Sequence, residues 1–230
     1  LKTELKFIGQ ILKQLKITNM KKVYVVGTAK HYADFITNIK HVDNIEEADI
    51  VIFTGGEDVD PSLYHEEKHP TTYSNLNRDL YERDKFEHIK PNQLAIGICR
   101  GSQFLCVMNG GKLVQNVNNH GVYGTHPIMG LNNMTYEITS THHQMQYPFN
   151  LNPRDYDLLY IADRRSLKYE GGGINRAELV INGEPEIVLY HKENMPKCLA
   201  IQGHPEYMRK DAPVVKMLNT LINNTLKTLK

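Results

Sequence analysis

The sequence lacks an excess of charge of either sign. Its 230 residues include 27 lysines and arginines against 26 aspartates and glutamates, so that the formal net charge is +1. Proteins that bind nucleic acid or an anionic membrane surface do so through a strong basic field. We therefore expect neither nucleic acid nor a membrane as a partner of this protein.

Long apolar runs and cysteines are also scarce. The apolar runs, such as residues 50–53, are far shorter than the roughly 20 residues that a membrane-spanning helix needs. The three cysteines, Cys99, Cys106 and Cys198, cannot all pair within one chain, and nothing resembles a secretion signal. Proteins without a disulfide framework are typical of reducing compartments. The sequence therefore predicts a cytoplasmic protein.

The remaining composition is typical of one folded domain. Hydrophobic residues make up 40% of the chain and charged residues 23%, which excludes a disordered or coiled-coil protein. At about 150 residues per domain, this length corresponds to one large domain rather than two full-sized ones. We place that domain at residues 20–230.

Residues 1–19 have a different pattern. Leu5, Ile8, Leu12 and Leu15 fall at helical spacing with lysines between them, which predicts an amphipathic helix at residues 4–17. We interpret this segment as an N-terminal helical extension that docks on the domain surface. A helix that binds a partner or a membrane surface is the alternative.

Histidine is in surplus, with 11 residues in the chain. Four histidines lie in polar, loop-like stretches without the spacing of a metal-binding motif: His65, His69, His120 and His126. Asp58 and Asp60 likewise lack further ligands at a suitable spacing, and we interpret them as groups that shape their loop. The sequence therefore predicts surface histidines at these positions, and no metal site.

The first half of the domain alternates apolar runs with helical patterns. Residues 23–27, 49–53 and 94–98 are nearly continuous apolar runs, which predict buried strands of a parallel sheet. Helices are expected near residues 31–39, near residues 79–90 and after Cys99. Asp79 and Glu82 have the spacing of a capping box at the start of the second helix.

The second half is richer in strands. Strands are expected at residues 134–140, 157–162, 186–191 and 198–202, with a hairpin over 183–198 and a closing helix at 211–229. Strands that alternate with helices predict an open α/β sheet. Ligands of such sheets bind at the carboxyl ends of the strands, so the loops that follow the apolar runs are the places to look for chemistry.

One of these loops has the pattern of a nucleophile elbow. Gly97 and Gly101 flank Cys99 between a predicted strand and a helix, and such a sharp turn needs small residues on both sides. A helix N-terminus also stabilises a thiolate. The alternative for this pentapeptide alone is a buried structural cysteine, which is the role that we expect for Cys106 and Cys198.

A second loop carries a base and a carboxylate. Pro205 favours an extended conformation at His204, and residues i and i+2 of an extended chain share a face. His204 and Glu206 should therefore project together. A thiol nucleophile requires a base that a carboxylate orients, so we predict a triad of Cys99, His204 and Glu206.

A third loop contains Gly55 and Gly56, after the strand at residues 49–53. Paired glycines allow backbone N–H groups to approach a ligand closely. The N–H groups of Gly56 and Arg100 are therefore candidates for an oxyanion hole, with Gly55 beside the substrate. An ordinary turn is the alternative.

Five motifs in this order resemble the class I glutamine amidotransferase-like superfamily, and within it the γ-glutamyl hydrolase branch that includes γ-glutamyl-γ-aminobutyrate hydrolases. They are residues 55–61 with Tyr64, residues 78–79, 97–103, 142–144 and 204–206. The resemblance implies a flavodoxin-like three-layer sandwich with a mostly parallel central sheet and a Cys-His-Glu triad. It also implies that Gln103 holds the glutamyl group, and that His142, His143 and Gln144 line the same pocket.

The implied activity is hydrolysis of a γ-glutamyl amide bond through a γ-glutamyl thioester, without a metal or an organic cofactor. One alternative is a glutaminase subunit that supplies ammonia from glutamine to a separate synthetase partner. Another is a non-catalytic binding module of the same fold. The sequence leaves the oligomeric state and the amine half of the substrate open.

Two departures from the family pattern stand out. The chain between Val26 and Ile50 is shorter than in most members, which predicts a trimmed helix–strand unit. Gly203 stands before His204, where many members of the branch have an aromatic residue. The pocket wall at this point is therefore not predicted.

Overall fold

The computed structural model describes residues 20–131, 133–162 and 166–229, without the side chain of residue 123. The helix that we expected at residues 4–17 lies outside these ranges. Within them, no helix combines the length and the apolar character that crossing a membrane requires.

The described strands are β1 (Lys21–Val25), β2 (Ile39–His41), β3 (Ile50–Phe53), β4 (Leu94–Ile98), β5 (Lys112–Val114), β6 (Asn116–Val117), β7 (Gly121–Gly130), β8 (Thr135–Thr141), β9 (Met145–Tyr147), β10 (Tyr156–Ala162), β11 (Tyr169–Glu170), β12 (Glu184–Tyr190) and β13 (Lys197–Ile201). The helices are α1 (Leu76–Glu87), α2 (Arg100–Met108), α3 (Arg176–Asn182) and α4 (Pro213–Lys227). Short 3₁₀ turns lie at Lys30–Ala33, Ile45–Glu47, Pro61–Tyr64 and Pro205–Tyr207.

Nine strands form one sheet in the order β2-β1-β3-β4-β13-β12-β10-β7-β8. The five strands from β2 to β13 run parallel to one another. From β13 onward each neighbour is antiparallel, and β12 and β13 form the expected hairpin. The prediction of an α/β sheet with a mostly parallel core is therefore confirmed. Its parallel strands β3, β4 and β13 lie side by side, so the three loops singled out in the sequence meet at one edge.

Helices cover both faces of the sheet, as expected for a three-layer sandwich. On one face, Val214 and Leu218 of α4 pack in a core cluster with Ile52 and Ile96 of the central strands. On the other face, a second cluster joins Phe86 of α1 and Phe104 of α2 to Phe53 and Ala95 of the sheet, and it includes the buried Cys106 and Cys198. The expectation that these two cysteines pack in the core is confirmed.

Two helix predictions differ from the structure. Residues 31–39 form only the 3₁₀ turn Lys30–Ala33 before the short strand β2, which agrees with the trimmed unit expected there. Helix α1 begins at Leu76, three residues earlier than predicted, and the side chain of Asn75 accepts the capping hydrogen bond from the N–H of Arg78. The capping-box interpretation of Asp79 and Glu82 is therefore wrong, and both side chains are buried for another reason.

Candidate active site

The elbow at Cys99 has the strained geometry that its glycines predict. Cys99 lies between β4 and α2 with φ 52° and ψ −109°, outside the regions that a residue with a side chain favours. Its N–H donates to the carbonyl of Ile201 on β13, which holds the turn in place at 2.8 Å. A Cβ on Gly97 would overlap the carbonyl of Gly101, and a Cβ on Gly101 would overlap the carbonyl of Phe53. Only glycines allow this turn to pack against the sheet.

His204 and Glu206 project together, as their spacing predicts. His204 follows β13, and its Nδ1 lies 2.7 Å from Oε1 of Glu206. Both side chains are buried, with 8% and 1% of their surfaces exposed. The imidazole also stacks on Tyr207, with 4.9 Å between ring centroids. The ring orientation is thereby set from two sides.

The side chain of Cys99 lies on the other side of His204, close enough to affect the pKa of the imidazole. Burial lowers the pKa of His204, but hydrogen bonds to Cys99 and Glu206 and their negative charges raise it more, to about 10. The surroundings of His204 therefore favour the protonated form of its imidazole. The three residues predicted as a triad are therefore neighbours, with His204 hydrogen-bonded to Glu206 and close to Cys99.

Thr139 of β8 fixes the backbone of His204, which the sequence did not predict. Its hydroxyl accepts from the His204 N–H and donates to the His204 carbonyl, both at 2.8 Å. The same strand packs directly on Gly203, where a Cβ would lie 2.6 Å from Ile138 Cγ1 and from the Thr139 carbonyl oxygen. This close approach explains the glycine at the position where the family pattern has an aromatic residue.

Cys99 opens into a cavity of about 210 Å³. Most of the predicted site residues line it: Gly56, Arg100, Gln103, His142, His143 and Gln144, together with Tyr73 and Thr141. Gly56 has φ +133°, a conformation open to glycine, and a Cβ there would overlap the guanidinium of Arg78. The candidate oxyanion donors, Gly56 and Arg100, therefore border the same space as the thiol.

Gly55 lies elsewhere than predicted. It lines a neighbouring cavity of about 330 Å³ and does not line the cavity at Cys99. A Cβ on Gly55 would lie 2.8 Å from the Tyr32 hydroxyl and 3.1 Å from Cε1 of His204. The residue is small because His204 passes close to it, and the prediction of a direct substrate contact is not supported by this position.

The side chain of Arg100 has a role that sequence reasoning missed. It is 2% exposed and forms ion pairs with both Asp79 and Glu82 of α1. Because burying a charge without a partner is costly, the two carboxylates are buried for this pairing. The pKa of Asp79 is raised, since burial outweighs the attraction of Arg100.

The same carboxylates hold the glycine loop. Glu82 pairs with Arg78 at 2.9 Å, and Arg78 Nη2 donates to the carbonyl of Gly55 at 2.9 Å. Asp79 accepts from the N–H of Asp60 at 2.8 Å. The network therefore links the loop that carries Gly56 to the helix that begins at Arg100. The motif at residues 78–79 was the available signal for it.

Gln103 and the segment at residues 142–144 contact each other across the cavity. Gln103 Nε2 donates to the carbonyl of Gln144 at 3.0 Å, and the Gln144 side chain donates to Thr72 at 3.0 Å. His143 Nε2 lies 3.1 Å from Asp58 Oδ1. The hydrogen bond to Asp58 raises the pKa of His143 against the opposing effect of burial.

The prediction of surface histidines at His120 and His126 is wrong. Both are buried, with 0% and 2% of their surfaces exposed. They lie with His142 around the carboxylate of Glu186, and the described residues that have the placement to hold a metal ion are His120, His142 and Glu186. These residues are distant in the sequence, so no spacing motif reveals them.

Comparison with known proteins agrees with this geometry. A family model described as Peptidase C26 matches residues 30–148, just over half of the chain. The chain is 41% identical to the protein NtpR of Enterococcus hirae over 78 residues, a match that spans only 33% of each protein. It is 28% identical over 182 residues to YvdE of Lactococcus lactis, whose name describes it as a glutamine amidotransferase-like protein; this match spans 75% of the chain and 71% of YvdE.

A solved structure matches most of the chain. A Thermoplasma acidophilum protein, which is described as one subunit of a GMP synthase, superposes with a TM-score of 0.56 at 16% identity. The superposition covers 91% of this chain and 96% of that chain. At this identity the likeness concerns the fold, and the predicted class I glutamine amidotransferase-like fold is confirmed.

Proposed function

This chain belongs to the Peptidase C26 family, and we propose that it hydrolyses a γ-glutamyl amide bond with Cys99 as its nucleophile. The family and its glutamine amidotransferase-like relatives indicate a hydrolase of the class I glutamine amidotransferase type. The observation that carries the finer proposal is the position of His204 between Cys99, which lies at a strained elbow, and Glu206, which is hydrogen-bonded to the imidazole.

In the first step, His204 takes the proton of the Cys99 thiol and the thiolate attacks the γ-carbonyl carbon of the substrate. A carbon–sulfur bond forms, and the carbonyl oxygen becomes an oxyanion. The N–H groups of Gly56 and Arg100 border the cavity at Cys99 and donate to this oxygen. Glu206 stabilises the imidazolium that His204 becomes.

In the second step, the tetrahedral intermediate collapses and the carbon–nitrogen bond breaks. His204 returns its proton to the leaving amine or ammonia, which departs and leaves a γ-glutamyl thioester on Cys99. His204 then deprotonates a water molecule that attacks the thioester carbonyl. Glutamate leaves, and the thiol regains its proton. Each proton transfer is thus assigned to one imidazole.

The cavity supports a small acyl group. Its volume of about 210 Å³ is below the 300 Å³ or more that is typical of drug-sized ligands, and a glutamyl group is small. Asp58 and His143 stand together at its wall as an anionic and a cationic partner for the α-ammonium and α-carboxylate groups of that glutamyl. The amine half of the substrate extends toward the segments at residues 62–76 and 118–131, the second of which contains strand β7.

The direct experiment is an assay of the purified chain against a panel of γ-glutamyl amides, with mass spectrometry of the intact protein under rapid quench. We expect release of glutamate and a transient mass increase of one glutamyl group on Cys99. Cys99→Ala should abolish both, while Cys106→Ala, on the same helix but buried behind it, should retain them. Full turnover by Cys99→Ala would refute the mechanism.

A glutaminase subunit is the second candidate, because the structural relative is described as part of a GMP synthase. The same thioester would form from glutamine, and the ammonia would pass to a separate synthetase. Ammonia release from glutamine that rises sharply on addition of a synthetase partner would favour this function. Efficient turnover of a γ-glutamyl amide by the isolated chain favours the hydrolase.

A non-catalytic binding module of this fold is the third candidate. A glutamine-like diazoketone labels a cysteine only when its thiolate is reactive and the glutamyl pocket accepts the reagent. We expect labelling of Cys99 alone among the three cysteines. Absence of labelling together with tight binding of a γ-glutamyl compound would favour the module.

A further inference from the structure

Three histidines surround one buried carboxylate at the antiparallel end of the sheet. His120 precedes β7, His126 lies within β7, His142 follows β8, and Glu186 lies in β12. The side chains of all four residues are at most 2% exposed. Side chains of this type are rarely buried together without a partner for each polar atom.

The hydrogen bonds of two rings determine which nitrogen faces Glu186. His120 Nε2 lies 2.5 Å from a carboxylate oxygen of Glu184, and His142 Nδ1 lies 2.8 Å from the carbonyl oxygen of Gln144. Carboxylate and carbonyl oxygens only accept hydrogen bonds, so each of these nitrogens carries the proton. In the neutral rings, Nδ1 of His120 and Nε2 of His142 then present lone pairs to Glu186.

Lone pairs of nitrogen and oxygen repel each other unless a cation lies between them. The distances from Glu186 Oε1 to His120 Nδ1, His126 Nε2 and His142 Nε2 are 3.4, 3.3 and 3.6 Å. They are longer than the 2.7–3.2 Å of an N–H···O hydrogen bond. All four of these atoms are buried without a hydrogen-bond partner.

The distances from Glu186 Oε1 to the three ring nitrogens match those between ligands of one metal ion. Ligand atoms at 2.0–2.1 Å from a tetrahedral zinc ion are about 3.4 Å apart. The ligand atoms of His120, His142 and Glu186 all lie within 4.8 Å of one another, and His126 approaches the same carboxylate oxygen as a fourth group.

We propose that His120, His142 and Glu186 form a binding site for a divalent transition metal, with Zn²⁺ as its occupant and His126 beside the shared carboxylate. Imidazole nitrogen and carboxylate oxygen are zinc ligands. These ligands are all buried, and His126 Nε2 lies beside the shared carboxylate oxygen, so the site that we assign is structural rather than catalytic.

Charge and outer contacts agree with a divalent cation. With neutral histidines, Glu184 and Glu186 bring two negative charges into the cluster, and within the described ranges no lysine or arginine forms an ion pair with either. A divalent ion neutralises both charges. Glu184 also accepts from Ser166 N–H and from the Tyr169 hydroxyl, so it orients His120 as the outer carboxylate of a zinc–histidine pair.

The metal would affect the neighbouring catalytic cavity only by fixing the position of residues that line it. His142 belongs to both regions, and the carbonyl of Gln144 accepts hydrogen bonds from His142 and from Gln103. Binding of the metal fixes the segment at residues 142–144 against β12. This proposal does not depend on the reaction proposed above, since it concerns the cluster behind the cavity wall.

The test is metal analysis of the full chain produced without a polyhistidine tag, exposed to Zn²⁺ and dialysed against metal-free buffer. We expect about one zinc ion per chain, with nitrogen and oxygen scatterers at about 2.0 Å in X-ray absorption at the zinc edge. Zn²⁺ should raise the melting temperature of the chelated protein, whereas Mg²⁺, which prefers oxygen ligands, should not.

Substitutions distinguish the residues that bind zinc from residues that lie near the site or far from it. Glu186→Gln keeps the shape of the side chain and removes its charge, so zinc should be lost, while Glu184→Gln should weaken zinc binding about 10- to 100-fold. His88→Ala, which removes an exposed histidine at the end of α1, should keep full zinc content.

Either of two results overturns the proposal. In the first, the native protein retains no more zinc than the buffer contains, and Zn²⁺ leaves its melting temperature unchanged. This result would mean that protons on the histidines, and not a metal ion, lie between the rings and Glu186. Full zinc content in a folded Glu186→Gln protein would place the metal elsewhere. If Glu186→Gln does not fold, the scatterers around zinc in the native protein decide, because sulfur ligands or fewer than two histidines contradict the assigned site.

Discussion

The Nδ1 atom of His204 lies 2.7 Å from the Oε1 atom of Glu206, only two residues later in the chain. A proton on Nδ1 leaves Nε2 as the nitrogen that exchanges a proton with Cys99. The second carboxylate oxygen of Glu206 is buried without a hydrogen-bond partner, so the charge of this group acts mainly on the imidazole. The orientation of the base thus depends on a very local contact.

Glu206→Gln tests that dependence. The amide keeps the shape of the side chain but removes the charge and allows the wrong tautomer, so we expect kcat to fall by as much as about 10⁴-fold with little change in fold. Steady-state kinetics on a γ-glutamyl amide measures the effect, and the exposed Glu193→Gln is the control. A kcat within a factor of two of the native value would show that Glu206 does not orient the base.

The raised pKa of His204 predicts how stability depends on pH. Because this pKa is raised from 6.5 to about 10, His204 keeps its proton in the native state between these values, whereas the same residue in the unfolded state has lost it. The contribution of His204 to stability is therefore fully present below pH 6.5 and is lost as the pH rises through about 10.

Urea unfolding of the native protein and of His204→Gln across this pH range measures that contribution. We expect the free energy of unfolding of the native protein to decline more steeply with rising pH than that of the variant. Parallel declines would mean that His204 has an ordinary pKa in the folded protein. The exposed His88→Ala serves as the control and should follow the native curve.

Asp79→Asn tests the buried ion pairs of Arg100. The change leaves Arg100 with Glu82 as its remaining carboxylate, and breaking a buried pair typically costs about 3–5 kcal/mol. We expect a loss of this order in the free energy of unfolding, together with a lower kcat because the Gly56 loop loosens. Asp84→Asn, which breaks an exposed pair with Lys85, should cost about 0–1 kcal/mol. Equal effects of the two changes would contradict the network.

Gly56→Ala tests the oxyanion hole. The added methyl group would overlap the guanidinium of Arg78 and displace the N–H of residue 56, so we expect kcat to fall about 100- to 1000-fold. Gly27→Ala is a matched control, because Gly27 also has a positive φ but no atom within 4 Å of an added Cβ. Its cost should appear in stability rather than in kcat. A normal kcat for Gly56→Ala would remove this N–H from the mechanism.

Thr139→Val tests the support of His204 from β8. Valine keeps the volume and deletes the hydroxyl, which leaves the backbone N–H and carbonyl of His204 without these partners. We expect a loss of about 1–3 kcal/mol in the free energy of unfolding, with a lower kcat from a displaced base. Thr125→Val on β7 removes an exposed hydroxyl and should be nearly neutral. Native kcat in Thr139→Val would show that Glu206 and Tyr207 suffice to place the ring.

The parts of the site that local sequence predicts are those whose partners are close in the chain. Gly97 and Gly101 flank the strained Cys99 within five residues, and His204 and Glu206 are two residues apart. In such cases the backbone conformation of one loop sets the geometry. Apolar runs at β1, β3 and β4 predicted the parallel core for the same reason, because a strand that is buried on both faces consists of apolar residues.

The sequence by itself determined the elbow, the base with its carboxylate and the α/β sheet that brings them to one edge. Only the tertiary structure decided the partners of Arg100 on α1, the support of His204 by Thr139, and the burial of His120 and His126 around Glu186. These contacts join residues 18 to 66 positions apart. Their geometry depends on the order and register of strands in the sheet, and the spacing of residues within a single helix or strand does not predict it.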